Sequence, residues 1–524
     1  VNLHRITISL RTHPLPWIVA IGLVLRLARY LADRSLWLDE AMLAQSLLTY
    51  SPRELLTKPL LHWQAAPVGY LLLEKATLSI LGGSEYSLRL VPLLMGIGSM
   101  ILFALLSRKI LNRAGTLTAT ALFASTESLI YYSSEVKQYE GDVFICILIL
   151  WLALRWIKNR RISDWTTLLL AGIVSIFLSH TAVFILGGIA FAFPPLPVRR
   201  ERAGVRIFVF NSTMLLIWLI LFLLNYSYFL HPLTQVQGLR TYWANAFMPK
   251  QVGPAIIWTG VSLRGLFASY YNLWLPLPEV GILLGVIGLI ALARNNDSHP
   301  NPLQEYRERG QERCPRNVLV LLLAPIAFAL AASAIGQFPF GGRVILFTMP
   351  LVILLIGAGT DVMLQTFQSG QRWIPATSIL LLLAPTIGRA AFYLAIPPGR
   401  EEIRPMLDFL AANNHDGDLL YCPRLTEIPL RYYLNQFDTQ SGNPRLTTMP
   451  RAVGLVDYDS TPPLESDLIR LRGRAHVWIL ITHPDGMPNF NQDQATREIL
   501  DHWGKCLTEA HARGASLYLY DLER

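Results

Sequence analysis

Charge is scarce in this chain. Asp, Glu, Lys and Arg make up 15% of its 524 residues, while 52% are hydrophobic. Soluble domains carry about 25% charge, so an ordinary soluble enzyme is excluded and a polytopic membrane protein is indicated. There are four cysteines and no Cys-x-x-Cys pair, which removes the spacing that a cysteine-based metal or redox site needs. No glycine-rich phosphate loop stands at a strand–helix junction, so no nucleotide pocket is expected. No close His-x-x-x-His pair occurs, and no internal repeat. The net charge of +9 does not point to nucleic acid. The basic residues cluster in short loops between apolar runs, which is a topology signal.

Apolar runs fill the first three quarters of the chain. They fall at 15–32, 88–107, 116–132, 143–157, 165–180, 182–198, 207–230, 278–293, 317–335, 344–364 and 373–396. Each is near the ~20 residues that cross a bilayer. Arg5 and Arg11 precede the first run and no small-residue cleavage site follows it, so it reads as an uncleaved span. The stretch 165–198 is split at Ser179-His180-Thr181. As one helix it would place Arg199, Arg200, Arg202 and Arg206 outside, against the positive-inside rule. With the N-terminus inside, Arg108, Lys109, Arg113, Arg155, Lys158, Arg160, Arg161 and the polar loop 294–316 are also inside. The tail is then outside.

The first outer loop, 33–87, holds two amphipathic stretches, 40–50 and 67–82, that read as helices lying in the interface plane. A second outer loop, 231–277, is aromatic: Tyr242, Trp243, Phe247, Trp258, Tyr270, Tyr271 and Trp274. Such rings suit the headgroup boundary or a sugar face. From 397 the chain turns polar. Helical patterns at 401–412, 428–434 and 493–503 alternate with strand patterns at 419–422, 477–482 and 516–521. The expected fold is a mainly α-helical polytopic membrane protein of about eleven transmembrane helices plus interfacial helices. Residues 1–396 form the membrane domain and 397–524 a small extracytoplasmic α/β domain. Cys422 and Cys506 in that domain are either a disulfide or two free thiols.

Polar residues gather at span ends. Asp39 and Glu40 follow the first span directly. Asp39 can cap the helix 40–50, or it can serve as a general base beside apolar walls. Lys58 and His62 precede Pro67-Val68-Gly69-Tyr70, where Pro67 fits the first turn of a helix. Tyr131 to Asp142 mixes tyrosines with both signs of charge, including Glu135, Lys137 and Tyr139. A solvated turn explains the charges but not the rings. Phe340-Gly341-Gly342-Arg343 places an arginine at the start of a span, with donors suited to a phosphate.

Taken in order, these stretches resemble the GT-C superfamily of polyprenyl-phosphate-dependent glycosyltransferases. The protein O-mannosyltransferase and lipid A aminoarabinose transferase branches are the most similar. The resemblance rests on Asp39-Glu40, Pro67-x-Gly69-Tyr70, residues 83–92, Ser134-Glu135-x-Lys137-x-Tyr139 and Phe340-Gly341-Gly342-Arg343. It implies an inverting transfer of a sugar from a polyprenyl-phosphate donor to an acceptor hydroxyl on a glycan, lipid or protein. The transfer would take place on the outer face of a bacterial inner membrane. By that pattern Asp39 is the base and Glu40 its catalytic neighbour. Lys58, Tyr70, Glu135, Lys137, Tyr139 and Arg343 bind substrate or phosphate, with Lys58 and Arg343 the best phosphate partners. Some relatives bind a divalent metal. His62 and His180 are the candidate ligands here, and no other cofactor is implied. Family members often carry a Pro-Pro pair before the second loop helix, where this chain has Ala65-Ala66-Pro67 with His62 upstream. Besides membrane lipids, the donor and the acceptor are the expected partners, and nucleic acid is not. The competing classes are a carrier of lipid-linked sugars and a non-catalytic scaffold.

Overall fold

The computed structural model describes residues 14–192, 202–268, 277–297, 318–367, 369–397, 399–440, 446, 448–454, 464–484 and 491–523. Arg5, Arg11, Arg199, Arg200, Tyr270, Tyr271, Trp274, Cys314 and most of the loop 294–316 lie outside these residues, as do the side chains of Arg202 and Arg206. The helices run in chain order. The first six are α1 (Leu15–Leu31), α2 (Leu38–Thr49), α3 (Pro52–Thr57), α4 (Val68–Leu81), α5 (Glu85–Ile110) and α6 (Arg113–Ser125). Next come α7 (Glu127–Tyr132), α8 (Tyr139–Asn159), α9 (Ile162–Leu178), α10 (Ala182–Ala192), α11 (Arg202–Asn225) and α12 (Val252–Ala268). Then follow α13 (Leu277–Asp297), α14 (Val318–Ala334), α15 (Met349–Thr366) and α16 (Trp373–Ala395).

Each apolar run of the sequence is helical in its described residues, but the run 116–132 is two helices, α6 and α7, broken at Thr126. Among the described residues four helical stretches are long and apolar enough to cross a bilayer: Glu85–Ile110, Phe208–Thr234, Gly342–Thr366 and Trp373–Ala395. The chain is an integral, multi-pass membrane protein. α9 and α10 are separate, broken at Ser179–Thr181. The stretch 231–277 is not purely a loop, because it contains α12. Its apolar pattern is interrupted by Gly253, Pro254, Gly260, Ser262 and Arg264, which hid the period.

The chain divides into two compact units. The first comprises residues 1–31, 65–73 and 89–396. Its innermost helix is the stretch Gly342–Thr366, 94% buried, whereas Trp373–Ala395 is only 17% buried. Leu380, Ile387 and Leu394 of that outer helix are exposed, the apolar face that lipid requires. α13 packs closely against α15. A Cβ on Gly288 or Gly359 would run into the opposite helix backbone, so small residues permit the approach.

The second unit comprises residues 32–64, 74–88 and 397–524. After α17 (Ile403–Asn413) come β1 (Leu419–Cys422), α18 (Arg424–Gln440), β2 (Arg451–Val453), α19 (Leu464–Leu468) and β3 (Val477–Thr482). α20 (Gln492–Trp503), β4 (Lys505–Ala512) and β5 (Ala515–Asp521) complete it. The strand order is β2-β1-β3-β5-β4. β1 is parallel to β2 and β3, while β5 is antiparallel to β3 and β4. β3 is buried along its whole length, as a central strand must be. β4 has no apolar run, and its residues alternate between exposed and half-buried. It is an edge strand, and its polar composition hid it from the sequence. Cys422 and Cys506 are free. They lie on β1 and β4, with β3 and β5 between. Three strand spacings of about 4.8 Å put them far beyond disulfide reach.

Candidate active site

In the second unit, the stretch around Asp39 is held by side chains of the tail. α2 begins at Leu38, and the cap position is Trp37, which offers no side-chain cap. Asp39 is therefore not the helix cap. It stands with Glu40 in the first turn, where a carboxylate favours the helix dipole. Asp39 is 9% exposed and Glu40 fully buried, so neither is an ordinary solvated first-turn acid. Three successive anchors come from the tail. Glu402 Oε2 accepts the Ser35 N–H at 3.1 Å, Tyr433 Oη accepts the Leu36 N–H at 2.7 Å, and Glu401 Oε2 accepts the Leu38 N–H at 2.9 Å. The Arg400 guanidinium lies over the Trp37 ring at 4.0 Å. Arg404 pairs with Asp33 at 2.9 Å and approaches Glu85 at 3.6 Å. At the far end of α2, Lys75 Nζ donates to the Leu47 carbonyl at 2.7 Å.

Lys58 is elsewhere in this unit's chemistry. Ser51 and Glu54 form a capping box that starts α3, and Lys58 Nζ pairs with Glu54 Oε1 at 2.8 Å. Lys58 is exposed, and the pair holds its ammonium above the ordinary lysine value. The same hydrogen bond, with that from Ser51, draws Glu54 down to about 2. His62 has a positive φ of 56° and bonds Gln45 Oε1 at 2.8 Å through Nε2. Among the described residues no three His, Cys, Asp or Glu side chains are gathered to hold a metal ion.

In the first unit, the stretch Ser133–Asp142 is buried throughout. This rules out the solvated turn. Glu135 is fully buried and Lys137 is 4% exposed. The Lys137 N–H donates to the Glu135 carbonyl at 2.6 Å, and Gln138 Nε2 donates to the Ala65 carbonyl at 3.3 Å. Tyr131, Tyr132 and Tyr139 form an edge-to-face series, with ring centroids 5.1 and 5.3 Å apart. At one end the Arg29 guanidinium lies 4.8 Å from the Tyr131 ring. At the other, the half-buried Arg343 lies 5.5 Å from Tyr139 and 5.9 Å from Trp243. The turn that delivers Arg343 needs Gly342, whose φ is +54°. The Phe340 N–H ties this turn to the Ala246 carbonyl at 2.7 Å. Tyr70 is buried on α4. His180 lies in the break between α9 and α10. Beside it, Ser179 Oγ donates to the buried Asp142 Oδ1 at 2.5 Å.

Arg343 and Tyr139 are thus brought together, and Asp39 and Glu40 share one buried turn. His62 and Lys58 have local partners of their own. The sequence did not single out Glu401, Glu402, Arg404 or Tyr433. Its one signal was the adjacent acids Glu401-Glu402 just after the last apolar run, a repeat of the Asp39-Glu40 pattern.

Residues 64–228 match the family model described as dolichyl-phosphate-mannose-protein mannosyltransferase. The chain resembles the GT-C superfamily glycosyltransferases. No curated protein sequence matches it. Among solved structures, ArnT from Cupriavidus metallidurans in the apo state is 12% identical with a TM-score of 0.37, covering 96% of this chain and 98% of that one. ArnT bound to undecaprenyl phosphate gives the same figures. The arabinofuranosyltransferase AftD from Mycobacteria is 13% identical with a TM-score of 0.44, covering 97% of this chain but 41% of AftD.

Proposed function

We propose that this protein is a membrane glycosyltransferase that moves a sugar from a polyprenyl-phosphate donor to an acceptor hydroxyl. The observation that carries the proposal is the match of residues 64–228 to a lipid-phosphate-sugar transferase family. The buried acid turn at Asp39 and the ring-flanked Arg343 supply groups suited to that chemistry. The reaction proceeds on the outer face of a bacterial inner membrane, where the activated sugar must arrive on lipid.

Asp39 accepts the proton of the acceptor hydroxyl as its oxygen attacks the anomeric carbon. The bond from that carbon to the phosphate oxygen breaks, and its electron pair leaves with polyprenyl phosphate. A single displacement inverts the anomeric centre. Arg343 offers planar donors to the departing phosphate. Tyr139 and Trp243 hold the guanidinium and exclude water from it. Glu40 is the catalytic neighbour of Asp39, and Tyr70, Glu135 and Lys137 are the remaining polar groups assigned to substrate. Lys58 serves only if the donor phosphate displaces Glu54 from its ammonium. No step is routed through a metal, because the described residues offer no donor set for one.

The test is transfer from labelled polyprenyl-phosphate pentoses and hexoses by purified protein in nanodiscs, comparing wild type with Asp39→Asn. Loss of about 100- to 10,000-fold in the variant, with donor binding kept, is expected for a general base. A carrier of lipid-linked sugars is the second reading. Arg26, fully buried inside the apolar helix α1, favours it. It predicts movement of intact donor between leaflets without cleavage.

A further inference from the structure

The sheet of the second unit has a topological switch point, the place where α/β sheets commonly bind ligands. β1 lies between β2 and β3 and is parallel to both. The chain leaves β1 for β2 on one side and leaves β3 for β4 and β5 on the other, so the β1/β3 edge is a switch point. At its carboxyl end Thr426 Oγ1, from the helix after β1, accepts the Thr482 N–H of β3 at 2.9 Å. The next residue, His483, has a φ of +57°, uncommon for a non-glycine. Its Nδ1 meets Glu401 Oε1 at 2.6 Å. The other oxygen of the same carboxylate accepts the Leu38 N–H.

Leu38 is the first residue of α2, so its N–H is one of the donors that a helix start leaves without a partner. Trp37 cannot cap it. The cap comes instead from Glu401, 363 residues away in sequence. Glu401 is 3% exposed, and its two oxygens are divided between one imidazole and one backbone amide. Asp39 is the next residue after the amide so fixed.

We propose that Glu401 and His483 are positioning residues for Asp39: Glu401 caps α2 from the tail, and His483 orients the Glu401 carboxylate. The proposal rests on the reading of Asp39 as the base. It assigns the switch point of the α/β unit to the chain's own catalytic turn in place of a soluble ligand.

The test uses the full chain in nanodiscs, as wild type, Glu401→Ala, Glu401→Gln, His483→Asn and Asp39→Asn. Hydrogen exchange is read for residues 35–41 and for β3 and β5, and transfer is read with labelled polyprenyl-phosphate pentose and hexose donors. Glu401→Ala and His483→Asn should speed exchange at 35–41, by about tenfold for Glu401→Ala, and leave β3 and β5 unchanged. They should lower kcat by about tenfold or more with donor KM within twofold. Glu401→Gln, which keeps a carbonyl acceptor for Leu38, should restore most of both. Adding Glu401→Ala to Asp39→Asn should cost nothing further. Unchanged exchange at 35–41, or a kcat unaffected once exchange has risen, overturns the positioning role while leaving the transferase reading intact. Exchange that rises equally through β3 and β5 overturns it as well, since Glu401 would then be a general stabiliser. If Glu401→Ala does not fold, Glu401→Gln and His483→Asn decide. Undiminished transfer by Asp39→Asn removes the base reading itself, and the inference falls with it.

Discussion

Lys58 and Arg343 are the two cations that best match a phosphate partner in the sequence, and the structure gives them opposite surroundings. Lys58 is exposed and already paired with Glu54 one helical turn away. An exposed pair of this kind contributes little, and salt screens it. Arg343 is half-buried, delivered by a glycine turn and flanked by two aromatic rings. There, water is scarce and each charge–charge contact is stronger. Residue type alone does not rank anion sites. The neighbours that set the local dielectric do.

The comparison can be broken in order of expected effect. Arg343→Ala should weaken binding of a polyprenyl-phosphate donor by about 10- to 150-fold, the worth of hydrogen bonds to a charged group. Arg343→Lys should recover only part of it, because an ammonium lacks the planar fork. Isothermal titration in nanodiscs reads both.

Burial is tested a second way at Ser179. Ser179→Ala removes a donor from the buried Asp142 carboxylate and should cost about 1.5–3 kcal/mol of stability, seen as a lower Tm. A Tm unchanged within a degree would contradict the importance assigned to buried polar contacts.

At the exposed end, Lys58→Ala should change donor affinity and Tm little, less than about twofold in affinity. A loss as large as that of Arg343→Ala would erase the distinction between the two cations. The pH dependence of the same loop gives a smaller effect. Glu54 is drawn down to about 2 by Lys58 and Ser51, below the ordinary value of about 4.3. The folded loop thus binds fewer protons than the unfolded one. Its stabilisation is fully present above about pH 4.3 and is lost as pH falls toward 2. Exchange protection of residues 51–58 should therefore be flat from pH 7 to 5 and fall below pH 4. Smallest of all, non-reducing alkylation should find no link between Cys422 and Cys506. Cys422, whose thiol burial pushes up to about 12, should label more slowly than Cys506.

Much of the helical framework was legible because an apolar run of membrane length leaves a strong one-dimensional signal. The break at Ser179–Thr181 was legible from the arginines downstream of it. Three strand segments of the tail, at 419–422, 477–482 and 516–521, were legible from their apolar residues. β4 was not, because an edge strand half in water needs no apolar run. Asp39 and Glu40 stood out by position, but what holds them did not. The Ser35, Leu36 and Leu38 amides are bound by side chains from Glu402, Tyr433 and Glu401. Backbone donors carry no sequence identity, and partners so far along the chain create no local pattern. Arg343 was visible, yet its setting depends on Trp243, one aromatic among many in its loop.

The central claim is cleavage of a lipid-phosphate sugar with transfer of the sugar. It is tested most directly by following a doubly labelled polyprenyl-phosphate sugar in sealed vesicles containing the protein. The account predicts that free polyprenyl phosphate and glycosylated acceptor appear together, in equal amounts, and that both vanish with Asp39→Asn. Intact donor crossing between leaflets with no cleavage, or cleavage unaffected by Asp39→Asn, would contradict it.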